Sequence, residues 1–414
     1  MTEGKMKARF WCSALCMQMM ACLVATTAFA GRISLDLRAP DATSPQQGGG
    51  KKLLKAAAPA RDGVLRQGKL SAGATKVRSV NVGDILEFQL FEGVQIELTL
   101  TEQTESLFGT RSFLAAVTGY DGVRNAVVVE SKDGLQVDVQ NYKTDKVYTI
   151  YSDANGVTVK EFDPTVGTTI PTALTVPQNM VSSAADEADA VSSLATAATG
   201  DTRLDILVAF DKNARSYADL HGGGMTNFAQ VAVQKMNAVL ANPGLTDSFR
   251  FRLVGVVAVN AEADDVHDAL YAIRDNKDGW WAVEAKRNEV GADIVTTLID
   301  TGSAYGTVGV GWSLVTTAVS SFANNAYNVC AIQSVAQSYT MVHECGHNLG
   351  AGHSERQTTE PGPQLYDYSA GYYFAVGGTS YHTIMAYNYD GYGRSYDPAP
   401  LFSSPYETYE IGNL

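Results

Sequence analysis

His343-Glu344-Cys345-Gly346-His347-Asn348-Leu349-Gly350-Ala351-Gly352-His353 reads H-E-x-x-H-x-x-G-x-x-H. His343 and His347 are four positions apart, about one helical turn, so both rings leave one face and can grip one metal ion. Glu344 is angularly offset from His343. It is better placed to reach a metal-bound water than the metal, which suits a general base. Glycine adopts the left-handed conformation that ends a helix, so Gly350 is expected to reverse the chain and return His353 as a third ligand. Three protein ligands leave a fourth position for water, the arrangement of a catalytic rather than a structural zinc site. The run is expected on a helix capped by Ser338, with apolar contacts from Tyr339, Met341, Val342 and Leu349. The competing reading, three histidines satisfied in a core, needs the glycine and third histidine to coincide by chance.

This extended pattern is the metzincin signature, which a methionine-bearing turn is expected to follow. Thr383-Ile384-Met385-Ala386-Tyr387 resembles that turn. The resemblance implies that Met385 lies beneath the metal and packs against its ligands; the alternative is a buried methionine in an ordinary strand. Tyr387 stands two residues further on, where a phenol donor could stabilise developing negative charge. It is also one of 20 tyrosines, so a packing role is the competing reading. With three ligands already present, His382 is read as a surface or packing residue.

The chain has 414 residues, enough for two or three domains, and 45% hydrophobic content, enough for a sizeable core. A formal net charge of −13 argues against a nucleic-acid surface, which would be basic. Residues 1–30 read as a secretory signal peptide: Lys5, Lys7 and Arg9 open it, Phe10 to Ala25 is largely apolar, and Ala28-Phe29-Ala30 offers a cleavage site. An uncleaved anchor and a lipoprotein site at Met20-Ala21-Cys22 are the alternatives. Past the signal only Cys330 and Cys345 remain of five cysteines. A disulfide between them and two buried thiols are both open.

Residues 31–77 read as a flexible leader. Residues 78–163 alternate in period two, as in Ile85-Leu86-Glu87-Phe88-Gln89-Leu90, Ile96-Glu97-Leu98-Thr99-Leu100 and Asn125-Ala126-Val127-Val128-Val129. Turn signals stand at Asp121-Gly122, Asp133-Gly134 and Asn155-Gly156, so a small all-β domain is expected. Residues 164–200, rich in Ala, Ser, Thr and Pro, form a protease-sensitive linker. Residues 201–414 are mixed α/β. Strands are expected at Leu204–Ala209, Phe251–Val259 and Gly291–Ile299. Helices are expected from a Thr226 cap to Leu240 and over Asp264–Arg274. Gly302 to Gly311 lacks a phosphate-loop ending and reads as a turn and edge strand leading toward the cleft.

Residues 201–414 resemble the reprolysin-like metzincin metalloendopeptidases of bacteria, especially the peptidyl-Asp metalloendopeptidase type. Beyond the histidine run and Thr383–Tyr387, the likeness includes Leu204-Asp205-Ile206-Leu207-Val208, Arg252-Leu253-Val254-Gly255-Val256-Val257, Gly291-Ala292-Asp293-Ile294-Val295 and Phe402-Ser403-Ser404-Pro405. It implies an α/β (α+β) fold: a metzincin-like catalytic domain with a twisted mixed sheet and a zinc helix, preceded by a small all-β propeptide domain at 78–163. It implies that an extended peptide pairs with the sheet's edge strand. Related domains continue past the Ser-Pro region into a closing helix, whereas this sequence stops at Leu414; a shortened lower subdomain and an incomplete chain are both open. Residues 31–329 contain no cysteine, so latency through a propeptide cysteine is absent. An Asp or Glu ligand and simple blocking of the cleft remain.

The expected function is a secreted zinc-dependent metalloendopeptidase made as a proenzyme. One Zn2+ is held by His343, His347 and His353, with Glu344 as general base and Tyr387 as an oxyanion donor. Its partner is a protein or peptide substrate, it acts as a monomer without nucleic acid or membrane after signal cleavage, and nothing in the sequence supports a calcium site. Secreted or extracellular placement is expected, with the periplasm or cell surface as alternatives. Two rivals stand beside it: a secreted binding or adhesion module that keeps the fold without turnover, and a zinc amidohydrolase acting on a non-protein amide. Aspartate preference is family-level analogy. Arg356 and Arg394 could contact an acidic side chain, against a plainer reading as solvated surface.

Overall fold

The computed structural model describes residues 31–38, 63–164 except 78, 105, 120–122 and 142–143, then 172–175, and 202–404 except 246–248, 303–305 and 318–321. The expected signal peptide, most of the expected linker, the Asp121-Gly122 turn and Pro405 lie outside the described residues.

Period-two alternation builds the first sheet. Its strands are β1 (Arg32–Asp36), β2 (Val64–Leu70), β3 (Ile85–Phe91), β4 (Val94–Thr104), β5 (Arg111–Val117), β6 (Ala126–Ser131), β7 (Gly134–Asn141), β8 (Lys146–Asp153) and β9 (Gly156–Phe162). Leu86, Phe88 and Leu90 of β3 and Ile96, Leu98 and Leu100 of β4 point to one buried face, as the pleat requires. From β3 to β9 the strands form an antiparallel meander, and two-residue turns at Lys132-Asp133 and Ala154-Asn155 join β6 to β7 and β8 to β9. The segment expected as a flexible leader differs. β1 pairs parallel with β3 and β2 antiparallel with β9, so residues within 31–77 supply both edges of the nine-stranded sheet. Val64-Leu65-Arg66-Gln67-Gly68-Lys69-Leu70 fully buries only one residue, so backbone pairing rather than an apolar face makes β2 a strand.

The second sheet has six strands in the order β10-β14-β15-β13-β11-β12. These are β10 (Thr172–Thr175), β11 (Thr202–Phe210), β12 (Phe249–Ala258), β13 (Ile294–Ile299), β14 (Gly309–Ser313) and β15 (Tyr327–Ala331). β12, β11, β13 and β15 are parallel, β14 is antiparallel to β15, and β10 runs parallel to β14. Helices α1 (Lys212–His221) and α2 (Met225–Ala241) connect β11 to β12. Helices α3 (Val266–Arg274) and α4 (Ala282–Val290) connect β12 to β13. Helices α5 (Ile332–Gln337) and α6 (Thr340–Asn348) follow β15. A small sheet of β16 (Tyr373–Val376), β17 (Thr379–His382) and β18 (Asp397–Pro398) lies beyond.

Two local expectations shift by a cap. Thr226 is not the cap of α2: Gly224, with φ of 94°, holds that position and Thr226 lies in the first turn. The strand expected from Gly291 begins at Ile294, because Gly291 takes the left-handed conformation (φ 68°) that ends α4. At α3 the Asp265 carboxylate accepts the His267 and Asp268 N–H groups at 2.8 and 3.2 Å.

Helix α2 lies between the two sheets. Its Met236, Val239 and Leu240 join the core of the six-stranded sheet, while Val231, Ala238 and Ala241 pack on Leu114, Val127 and Val129 of the nine-stranded one. Polar contacts complete the second junction. Gln230 Nε2 donates to Ser112 Oγ at 2.8 Å, and Thr104 Oγ1 donates to Gln234 Oε1 at 2.8 Å. Lys235 and Asp138 are both buried and stand 3.5 Å apart, while Lys235 Nζ also donates to the Val335 carbonyl at 3.1 Å. Burial pushes the Asp138 carboxyl up and the Lys235 amine down, and each charge opposes the shift on the other. Removing one member of such a pair strands a buried charge and costs about 3–5 kcal/mol, whereas apolar replacement of both is often neutral. Lys235→Met is therefore expected to lower the urea midpoint of the full chain sharply, and Lys235→Met with Asp138→Leu to recover most of the loss.

Candidate metal centre

All nine residues of α6 are buried, as expected for a helix wedged between a sheet and a following layer. Ser338 is not its cap residue. Tyr339 holds that position without a side-chain cap, although Ser338 Oγ accepts the Thr340 N–H at 3.3 Å. At the other end Gly350 has φ of 88°. The Gly350 N–H donates to the His347 carbonyl at 3.0 Å and the Ala351 N–H to the Gly346 carbonyl at 2.9 Å, the paired bonds of a Schellman motif. That reversal returns His353 to the helix.

His353 Nε2 lies 3.2 Å from His343 Nε2 and 3.0 Å from His347 Nε2. Each ring's other nitrogen meets a backbone carbonyl: His343 Nδ1 to Ile384 at 2.7 Å, His347 Nδ1 to Ala351 at 2.9 Å, and His353 Nδ1 to Glu360 at 3.0 Å. Carbonyls only accept, so each Nδ1 carries the hydrogen and each Nε2 presents a lone pair. Three lone pairs turned on one another cannot hydrogen-bond, and this arrangement fits a shared cation. Nitrogens about 2.0–2.1 Å from a tetrahedral ion stand about 3.3 Å apart, close to what is observed. Burial, with repulsion from the neighbouring rings, lowers His343 to about 3. Burial also lowers His353 to about 4 and holds His347 well below its usual value, so all three rings are neutral near pH 7.

Glu344 is fully buried beside this cluster, and neither carboxylate oxygen meets a donor among the described residues. Burial raises its pKa well above the usual carboxylate range, and the nearby Glu360 charge adds to the rise. Two glycines of β14 make room for it. A β-carbon on Gly309 would collide with Glu344 Oε1, and one on Gly311 would come 3.2 Å from Oε2. Below the helix, a β-carbon on Gly346 would collide with Met385 Sδ. Met385 is buried in a turn closed by the Ala386 N–H donating to the Thr383 carbonyl at 3.0 Å. The same turn supplies the Ile384 carbonyl that holds His343. The Tyr387 ring centroid is 4.5 Å from that of His353 and 6.2 Å from that of His343, so the tyrosine borders the cluster.

His382 is buried and bonds the Thr383 carbonyl through Nδ1 at 2.9 Å, outside the three-histidine group; it is a packing residue and not a surface one. Cys330 and Cys345 are free, buried thiols, and burial raises Cys345 to about 12. Arg356 and Arg394 are exposed and line one pocket of about 720 Å³ together with Asp390. Several positioning residues escaped the sequence reading. Gln357 Oε1 accepts the Tyr387 N–H at 3.2 Å while its Nε2 donates to the Thr359 carbonyl at 2.7 Å, joining the loop after His353 to the methionine turn. Asn348 Nδ2 donates to the Trp312 and Tyr327 carbonyls at 2.8 and 3.1 Å, and Asn328 Nδ2 donates to Asn348 Oδ1 at 2.8 Å, which ties α6 to β14 and β15. Only Gly309 and Gly311 left a legible signal: two glycines two apart in a strand bare one face of it.

With this geometry in place, residues 200–397 match the model of the Reprolysin_5 family, Metallo-peptidase family M12. That match spans just under half of the chain and supports a metzincin-like metalloprotease. On that match and its three-histidine group the protein is a metzincin-like zinc metalloendopeptidase. No curated protein matches it. Among solved structures, metalloproteinase-II from Bacteroides fragilis aligns at 12% identity and a TM-score of 0.45 over 81% of this chain and 93% of that one. A structure described as a chaperone-substrate complex aligns at 20% identity and a TM-score of 0.36 over 51% of this chain and 34% of that one.

The contact between Gly346 and Met385 is testable in this metallopeptidase. Gly346→Ala forces a methyl group into the sulfur, and overpacking of this kind costs about 1–3 kcal/mol. A lower thermal midpoint is expected, with partial recovery in Gly346→Ala combined with Met385→Ala.

Proposed function

We propose that this metallopeptidase is a secreted endopeptidase made as a proenzyme, in which His343, His347 and His353 hold one zinc ion and Glu344 is the general base. The observation that carries this reading is the convergence of three Nε2 lone pairs beside a buried carboxylate that meets no donor among the described residues. Zinc at such a site supplies an acidified water and polarises the scissile carbonyl. Glu344 takes a proton at a carboxylate oxygen and delivers it to the leaving amine. The Ile384, Ala351 and Glu360 carbonyls keep the rings oriented through Nδ1. The Tyr387 hydroxyl donates toward the developing oxyanion. Burial, reinforced by the negative charges of Glu360 and Glu344, holds that phenol protonated.

An extended substrate adds as a strand beside β14, the strand that borders Glu344. Residues 1–30 direct export and are removed, residues 78–163 form the core of the propeptide, and the 164–200 linker is the site of maturation. The enzyme acts as a monomer on protein or peptide outside the cytoplasm.

The test compares processed enzyme with its Glu344→Gln counterpart on casein, with zinc measured in both. Equal zinc and a rate lower by about 10²–10⁴ are expected, the size of a general-base contribution. Full activity in Glu344→Gln at equal zinc would overturn the base assignment. Chelation is expected to abolish casein cleavage, and added zinc to restore it; activity that survives complete removal of metal excludes the zinc reading.

A further inference from the structure

The loop after His353 holds one residue in an uncommon backbone conformation. Glu360 has φ of 46°, and among the described residues of 202–404 Asn276 is the only other non-glycine residue with positive φ. Asparagine enters that region readily and glutamate rarely, so the conformation persists only where its surroundings hold it. Two contacts hold it here. The Glu360 carbonyl accepts the hydrogen of His353 Nδ1 at 3.0 Å. Two residues on, a β-carbon at Gly362 would collide with the His353 carbonyl oxygen, so the loop lies directly on that histidine.

The Glu360 side chain returns to the same ring. Its Oε2 stands 3.7 Å from His353 Nδ1, and its carboxylate also accepts the Tyr387 hydroxyl. The Tyr387 ring centroid is 4.5 Å from that of His353. The backbone on either side of this contact is fixed by one glutamine. Gln357 Oε1 accepts the Tyr387 N–H at 3.2 Å, and Gln357 Nε2 donates at 2.7 Å to the carbonyl of Thr359, the residue before Glu360. A carboxylate at the far nitrogen of a metal-binding imidazole raises the basicity of the near one and fixes the ring. A phenol resting on a fixed acceptor is likewise held to fewer orientations than a free one.

We propose that Glu360 is a positioning residue for two groups of the site: its negative charge strengthens His353 as a metal ligand, and its carboxylate seats the Tyr387 hydroxyl beside the histidine cluster. This rests on the peptidase reading above and adds to it the residue that joins ligand and phenol. Glu360 acts through His353 and Tyr387 and needs no contact with substrate.

The first measurement is zinc affinity of the full chain, by competition with a chromophoric chelator, for the parent protein, Glu360→Gln and Glu360→Ala. Both variants lose the charge. Zinc is expected to bind each about 10-fold more weakly, the lower end of the range for such partners, because the Glu360 side chain is 39% exposed and water screens it. The second measurement is casein cleavage by the processed, zinc-saturated enzymes. The amide oxygen introduced by Glu360→Gln still accepts the phenol, so kcat is expected to stay within about 2-fold of the parent. Glu360→Ala removes the acceptor, and kcat is expected to fall about 10-fold at unchanged KM. That loss is expected to vanish when both proteins carry Tyr387→Phe, since no hydroxyl is then left to seat. Unchanged zinc affinity in Glu360→Gln overturns the first role, and an equal loss of kcat in the Tyr387→Phe background overturns the second. Absence of casein cleavage by the zinc-saturated parent overturns the peptidase reading alone, because the chelator competition still decides whether Glu360 supports the metal ligand.

Discussion

Three hydrogen bonds of one kind organise the half of the chain that carries the histidine cluster: a backbone carbonyl facing the Nδ1 of each histidine. The carbonyls come from three separate places, Ile384 in the methionine turn, Ala351 just past the helix reversal, and Glu360 in the loop beyond His353. Each fixes a tautomer and a ring plane, and only together do they aim three lone pairs at one point. Ala351 can serve His347 only because Gly350 turns the chain there. Ile384 can serve His343 only because Met385 seats its turn under the bare Gly346. Glu360 is brought to His353 within a loop that Gln357 fastens to Tyr387.

The surroundings of Glu344 depend on the same close approach. A buried carboxylate that meets no donor among the described residues is an expensive group to keep, and it stands beside three neutral imidazoles, which is the setting the proposed general-base role calls for. Gly309 and Gly311 let strand and carboxylate meet, while Asn328 and Asn348 lock the helix that carries it to the neighbouring strands. Helix and sheet edge thus form one surface, on which a peptide lying along β14 would pass the carboxylate.

Much of this centre was legible before any coordinates. The spacing of His343, His347, Gly350 and His353 encodes a helix and its reversal, and both are local events that a short run of sequence can carry. Period-two alternation likewise disclosed the strands of the N-terminal sheet around Phe88, Leu98 and Val128. What escaped was set by partners distant in the chain. Gln357 and Asn348 are ordinary polar residues until the carbonyls they meet are known. β1 and β2 gain strand structure from the strands beside them more than from an apolar face of their own. In sequence Gly291 reads as part of a strand, because its role at the end of α4 depends on a helix of mostly polar residues with little apolar periodicity to signal it.

Helix α2 was described above as a layer between two sheets, with nearly all of its residues buried. It follows that the two halves of the chain do not part cleanly. Separation would bare Val231, Ala238 and Ala241 to water and leave the Lys235 ammonium facing solvent without Asp138. The half that carries the histidines would be left with a sticky seam along its back. Its working lifetime would then be governed by how fast that helix frays or finds new cover, so that the same surface which builds the enzyme also sets a clock on it.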